Sequence, residues 1–165
     1  MNGHVGGLAR VQHREIVMAS GEMSRTEFVT FLTDVLGHAS AASQDVSLHY
    51  VCMDWHELRS LLEAGSAVYD ELKNIICWAK TNGGMGSLYR SQHEFMALWK
   101  KGRAPHINTI ELGRHGRYHT NVWTYAGVNT FKRNRMEELS SHPTVKPVAL
   151  VMDPSRIARS RRGSS

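Results

Sequence analysis

Cysteine is scarce in this chain: Cys52 and Cys77 are the two among 165 residues, and they have no CxxC spacing. That excludes a disulfide scaffold and a cysteine-built zinc site. Both sit in apolar runs, so two buried thiols in a reducing cytoplasm are expected. No apolar run approaches the roughly 20 residues that span a bilayer. The opening Met1-Asn2-Gly3-His4-Val5-Gly6-Gly7 has neither a basic n-region nor an apolar h-region, so no secretory signal is expected there. Internal repeats are absent. The hydrophobic share of 41% and the charged share of 21% are those of a globular chain, which excludes disorder throughout. The length suits one domain with a modest core.

Acidic residues are nearly missing from one stretch. Residues 80–135 hold ten lysines and arginines against Glu94 and Glu111 alone, a balance of +8 in a chain of net charge +5, leaving −3 elsewhere. Such a segment suits a phosphate backbone, whose counterions are released on binding. An ordinary solvated basic face has the same composition, and charge alone does not separate the two.

Hydrophobic periodicity supplies the elements. Residues 1–21 have no clean period and read as loop. Ser24-Arg25-Thr26-Glu27 has the capping-box pattern, and Phe28, Phe31, Leu32, Val35 and Leu36 follow at helical spacing, with Gly37 or the Ala/Ser stretch after it as the stop. Residues 47–53 read as a buried strand with Asp54 at its carboxyl end, where it could cap a helix over 55–64 stopped by Gly65. Further strands are predicted over 72–78 and 94–100. Strand, helix, strand at this spacing is a βαβ unit and predicts a partly parallel, helix-covered sheet. Residues 102–141 are basic and rich in Gly, His and Asn, with little regular structure predicted. A stretch that long inside a compact domain usually has a function. A last helix is predicted to begin within 145–152.

Several motifs invite chemistry. Gly83-Gly84-Met85-Gly86 lacks the lysine and spacing of a P-loop, so a turn with positive-φ positions is the preferred reading over a phosphate cradle. His115 and His119 are four apart, but Gly113 and Gly116 argue against a helix, and no neighbouring ligand completes a metal set. Asp153-Pro154-Ser155-Arg156 lacks the second proline and the aromatic of a catalytic Asp-Pro-Pro-aromatic motif. His142-Pro143-Thr144-Val145-Lys146-Pro147 is more distinctive: a rigid, polar segment leading into an apolar helix, with Pro147 suited to its first turn.

That hexapeptide resembles the HPTxKP motif of DNA amino-methyltransferases of the permuted class, in which the target-base motif precedes the cofactor motifs. The resemblance runs over residues 3–151. It includes Gly21-Glu22-Met23-Ser24, His49-Tyr50-Val51-Cys52-Met53-Asp54-Trp55, and the run from Trp78 through Gly83-Gly84-Met85-Gly86-Ser87 to Glu94. It continues through Gly113-Arg114-His115-Gly116-Arg117-Tyr118 and Asn121-Val122-Trp123-Thr124-Tyr125-Ala126-Gly127. The resemblance implies an S-adenosylmethionine cofactor and methylation of the exocyclic amino group of adenine, with cytosine second, in double-stranded DNA. Such an amine is a poor nucleophile and must be aimed at the sulfonium methyl. The base must also leave the stack. His142, Thr144, Lys146 and Pro147 take the family's role at the cofactor's methionine end. Residues 102–141 take that of target recognition, with Arg90, Arg103, Arg114, Arg117, Lys132 and Arg133 as DNA contacts.

The chain departs from the family pattern in places. The family's Asp-Pro-Pro-Tyr should lie just before Gly3, and its Gly-rich cofactor turn should follow Val148; neither occurs in this sequence. Ala79 stands where the family usually has Asn, and Thr124 where it has Asp. No catalytic residue is therefore assigned. The expected fold is α/β, a partial Rossmann-like methyltransferase sheet with an inserted basic, loop-rich recognition segment. Residues 22–101 form its core, 102–141 the recognition segment, 142–152 the cofactor-side motif and helix, and 153–165 a disordered tail. The same reading expects a chain truncated at both ends, inactive alone, with an open sheet edge that a second chain could complete. The rival readings are a non-catalytic DNA-binding module and, more remotely, a metal-dependent hydrolase using the ten histidines.

Overall fold

A computed structural model describes residues 23–84, 88–106, 108, 111–114, 118–126 and 146–151. The loop expected over 1–21 and the tail expected over 153–165 lie outside the described residues.

Helix α1 spans Arg25–Ala41. Its capping box is complete: the Ser24 side chain accepts from the Glu27 amide at 3.3 Å, and Glu27 accepts from the Ser24 amide at 2.7 Å. Leu32, Leu36 and Ser40 recur every fourth residue and are buried, so one stripe faces the core. Gly37 does not end the helix, which continues to a cap at Ala42 because Leu36 and Ser40 anchor the turn on either side. Lys101 donates to the carbonyls of Ser40 and Ser43, both at 2.8 Å, placing a cation on the carboxyl end of the helix.

Strand β1 spans Leu48–Met53, and helix α2 spans Leu58–Val68. This helix starts later than its sequence suggests and runs through Gly65. Asp54 does not cap it; the Asp54 carboxylate closes a turn by accepting from the His56 amide at 2.8 Å. Gly65 is needed for packing instead, because a Cβ there would strike the Trp99 ring. Strand β2 spans Glu71–Lys80, β3 spans His93–Lys100, and β4 spans Val122–Tyr125. The last lies within the 102–141 segment, where little regular structure was expected.

These strands form one mixed sheet in the order β1-β3-β2-β4, and the described fold is mixed α/β. The β1-α2-β2 unit predicted a partly parallel sheet, and the two strands do point the same way. They are not neighbours: β3 lies between them, antiparallel to both, and among the described residues the only parallel pairing is β2 with β4. The crossover through α2 leaves a gap one strand wide, and the chain returning after β2 fills it. β1 is therefore an edge strand among the described residues, which leaves Cys52 exposed rather than buried.

The sheet has a core on each face. Ala97 and Trp99 of β3 meet Leu32, Leu36, Leu61, Ala64 and Tyr69 on the helix side. Met96 meets Ile76, Trp78 and Leu150 on the other, with Tyr50, Leu98, Trp123 and Tyr125 around them. The period of two along β3 separates these sets. At the lower rim, Gly102 at φ +77° turns the chain and donates to Asp70 at 2.6 Å, with Asp45 beside its Cα. No described helix is long and apolar enough to cross a membrane.

Between α1 and the sheet, the His49 ring lies 3.0 Å from both the Tyr69 hydroxyl and the Ser43 hydroxyl. A neutral ring can accept from one and donate to the other. Burial, then the charge of Lys101, holds its pKa below the ordinary 6.5. His106 is lowered likewise, by burial and then by Lys73 and Lys100.

Two outcomes follow from this packing. Gly37→Ala, which meets nothing within 4 Å, should stabilise the chain by about 0.5–1 kcal/mol, whereas Gly65→Ala should destabilise it through overpacking by about 1–3 kcal/mol; urea midpoints moving the same way for both would contradict the packing. For the depressed histidines, the unfolded chain binds more protons as pH falls below 6.5, so stability is full above that value and declines beneath it. Thermal midpoints between pH 8 and pH 5 should show this decline, and His49→Gln should flatten it, leaving the His106 part.

Candidate functional site

Because β1, β2 and β4 run the same way, their carboxyl ends at Met53, Lys80 and Tyr125 share one rim with the start of β3 at His93. Open α/β sheets bind ligands beyond the carboxyl ends of their strands. Three features meet at this rim.

The first is a charge cluster on the face away from the helices. The Glu94 carboxylate accepts from Lys80 and from Lys146, each at 2.6 Å. Both ammonium groups lie over the Trp78 ring, 4.9 and 5.9 Å from its centroid. Trp78 is only 2% exposed, and its indole donates to the Tyr125 carbonyl at 3.1 Å. Burial works to raise the Glu94 pKa, but hydrogen bonds from Lys146 and Lys80, and then their charges, outweigh it and hold the carboxyl below its ordinary 4.5. One carboxylate against two ammonium groups leaves a net positive charge on an aromatic floor. The helical turn at 148–151 leaves this cluster from Pro147, whose carbonyl accepts from the Val151 amide at 3.3 Å, and it buries Leu150 against the sheet.

The second feature is the turn after β1. His56 contacts the Asp54 carboxylate through its ring at 3.2 Å, and Trp55 stacks on His56 with centroids 3.7 Å apart. The Trp55 indole also donates to the Ser91 hydroxyl at 3.2 Å.

The third is the β2–β3 loop. Arg90 folds back to donate to the carbonyls of Gly83 and Gly84, both at 2.9 Å, and the Gly84 amide donates to Ser91 at 2.7 Å. Gly83 and Gly84 do not adopt positive φ. Their small size serves close approaches instead: a Cβ on Gly83 would lie 3.2 Å from the Arg90 Cβ, and one on Gly84 would lie 3.3 Å from the Ser91 carbonyl oxygen.

Of the residues singled out from sequence, Lys146, Pro147 and Arg90 come to this rim. Arg103 follows β3 at the opposite rim, where its carbonyl accepts from Lys100 at 3.3 Å. Arg114 is exposed in the 111–114 turn, its amide donating to the Glu111 carbonyl at 3.0 Å. His142, Thr144, Arg117, Lys132, Arg133 and His115 lie outside the described residues. Among the described residues no group of three His, Cys, Asp or Glu side chains could hold a metal. Sequence reasoning missed Glu94 as the partner of Lys146. Its signal was there: an isolated carboxylate on a strand, two residues from Met96 and hence on the same face.

No protein-family model matches this chain, and no curated protein matches it.

Glu94→Gln keeps the shape but leaves two ammonium groups without their counter-charge. It should cost about 1.5–3 kcal/mol. With its pKa depressed, Glu94 contributes stability that is present above pH 4.5 and is lost as pH falls through its folded value, so the variant should also lose that part of the acid sensitivity. Denaturant titrations at pH 7 and pH 3.5 read both effects, and an equal loss at both pH values would contradict the ion pairs.

Proposed function

We propose that this chain forms part of an S-adenosylmethionine-dependent DNA methyltransferase, acting on the exocyclic amino group of adenine, with cytosine second. The observation that supports it best is the position of Lys146 and Pro147. The end of the His142–Pro147 motif sits at the carboxyl rim of the sheet, on Trp78 and beside Lys80. The residues present suit the cofactor's methionine end. The cluster of Lys80, Lys146 and Glu94 has a net positive charge that a carboxylate would complement, and Lys146 remains partly exposed. When bound, the cofactor supplies an electrophilic sulfonium methyl. Lys146 would orient its carboxylate, Glu94 holds Lys146 in place, and Trp78 gives the ammonium groups a dry, polarisable floor. The 165 residues contain no Asp-Pro-Pro-Tyr motif, so the acceptors that aim the target amine are not among them.

The finer fold assignment, part of a Rossmann-like methyltransferase sheet, belongs to the same proposal. Three strands pointing one way, with a helix crossing between the first two, are compatible with it. A second reading, a DNA-binding module without chemistry, draws on the basic stretch and on the exposed Arg103 and Arg114.

The test is binding of labelled S-adenosylmethionine and of mixed-sequence DNA; the chain alone should bind both and transfer no label, because the acceptors for the target amine are absent from it. Lys146→Met should weaken cofactor binding about tenfold or more, as expected for losing a charge-assisted hydrogen bond. Absence of cofactor binding, together with DNA binding that falls steeply with salt, would sink the enzyme reading in favour of the module.

A further inference from the structure

Trp55 stands apart from the other tryptophans whose rings build the core. It is 49% exposed, on a turn rather than in a strand, yet it is held at two points. Its ring lies on the His56 imidazole at 3.7 Å between centroids and 27° between planes, and its indole nitrogen is tethered to Ser91 at 3.2 Å. His56 is itself fixed by the Asp54 carboxylate through both its amide and its ring. An exposed indole with its orientation set by a stacked ring and a hydrogen bond is pre-organised, which lowers the cost of stacking a planar partner. Its surroundings indicate what kind of partner. The residue that tethers it, Ser91, directly follows Arg90, whose guanidinium is bonded to the neutral carbonyls of Gly83 and Gly84 and so keeps its charge. Glu94, with the Lys80 and Lys146 ammonium groups, begins three residues further on, at the same rim. A flat aromatic surface at the same rim of the sheet as these fixed cations suits an unpaired nucleobase with its phosphates.

We propose that Trp55 is a stacking platform for a nucleobase extruded from duplex DNA, positioned by His56 and Ser91. This rests on the DNA reading above but not on methyl transfer. The probe is a duplex with one 2-aminopurine opposite an abasic site, compared with the same duplex fully paired. The full-length chain should bind the first more tightly and quench its fluorescence. Trp55→Leu should abolish the quenching and lower affinity for the unpaired base about 5- to 150-fold, the range that follows from about 1–3 kcal/mol per stacked base. Binding to the paired duplex should not change. Trp55→Phe should retain most of the preference, and Ser91→Ala, which frees the ring without removing it, should weaken it by a smaller factor; these variants keep the test open if Trp55→Leu does not fold. Quenching and preference unaltered in Trp55→Leu would overturn the platform while leaving DNA binding intact. Failure of the wild-type chain to bind either duplex would overturn the DNA reading itself, and the platform with it. Cofactor binding, measured separately, decides the enzyme reading.

Discussion

Strand β3 is hydrogen-bonded along both edges and packed on both faces, and the positions of the other elements refer to it. Its neighbours β1 and β2 are set in register against it, with Val51 and Ile75 both opposite Ala97. Its alternating side chains supply both cores: Ala97 and Trp99 to the helices, Met96 to the opposite face. Slipping β3 by one residue would turn Trp99 away from α2 and bring Glu94 among apolar side chains. Both outcomes are costly, so the register is strongly specified. Gly65 is part of the same constraint, since α2 can approach the sheet only where the Trp99 ring meets no Cβ.

From that strand the rim acquires its chemistry. Glu94 begins the alternation on the face away from the helices, so its carboxylate emerges where β2 ends in Lys80 and where the 146–151 segment returns. The carboxylate costs desolvation at this site, and two ammonium groups over Trp78 offset it. The result is a rigid, net-positive corner. Trp55 and Arg90 stand at the same rim because β1 ends there and the β2–β3 loop turns there. The arrangement brings aromatic faces and fixed positive charge to one rim of the sheet.

How much of this could be read from the chain varied with the range of the interaction. The start of α1 was legible because Ser24 and Glu27 satisfy each other within four residues. Strands β1, β2 and β3 were legible from short apolar, β-branched or aromatic runs. Of the two stops read for α1, the Ala/Ser stretch holds and Gly37 does not; Gly65 misled as the stop of α2, because a local propensity of about 1 kcal/mol is outweighed by side chains packed on either side. β4 was missed since four residues, Val122–Tyr125, have too short a pattern to stand out; the neighbour β2 makes them a strand.

The rim was partly legible: the motif pointed to Lys146 and Pro147, and the scarcity of acids in residues 80–135 made Glu94 conspicuous. Its pairing with two lysines was not, because those residues are 14 and 52 positions away and meet only when the sheet is assembled. Composition, the capped start of α1 and the identity of β1, β2 and β3 are local quantities, settled by the residues in place along the chain. Strand order is different. Whether β2 lies beside β1 or one position away depends on where the returning β3 buries both faces best, and that is a property of the assembled core.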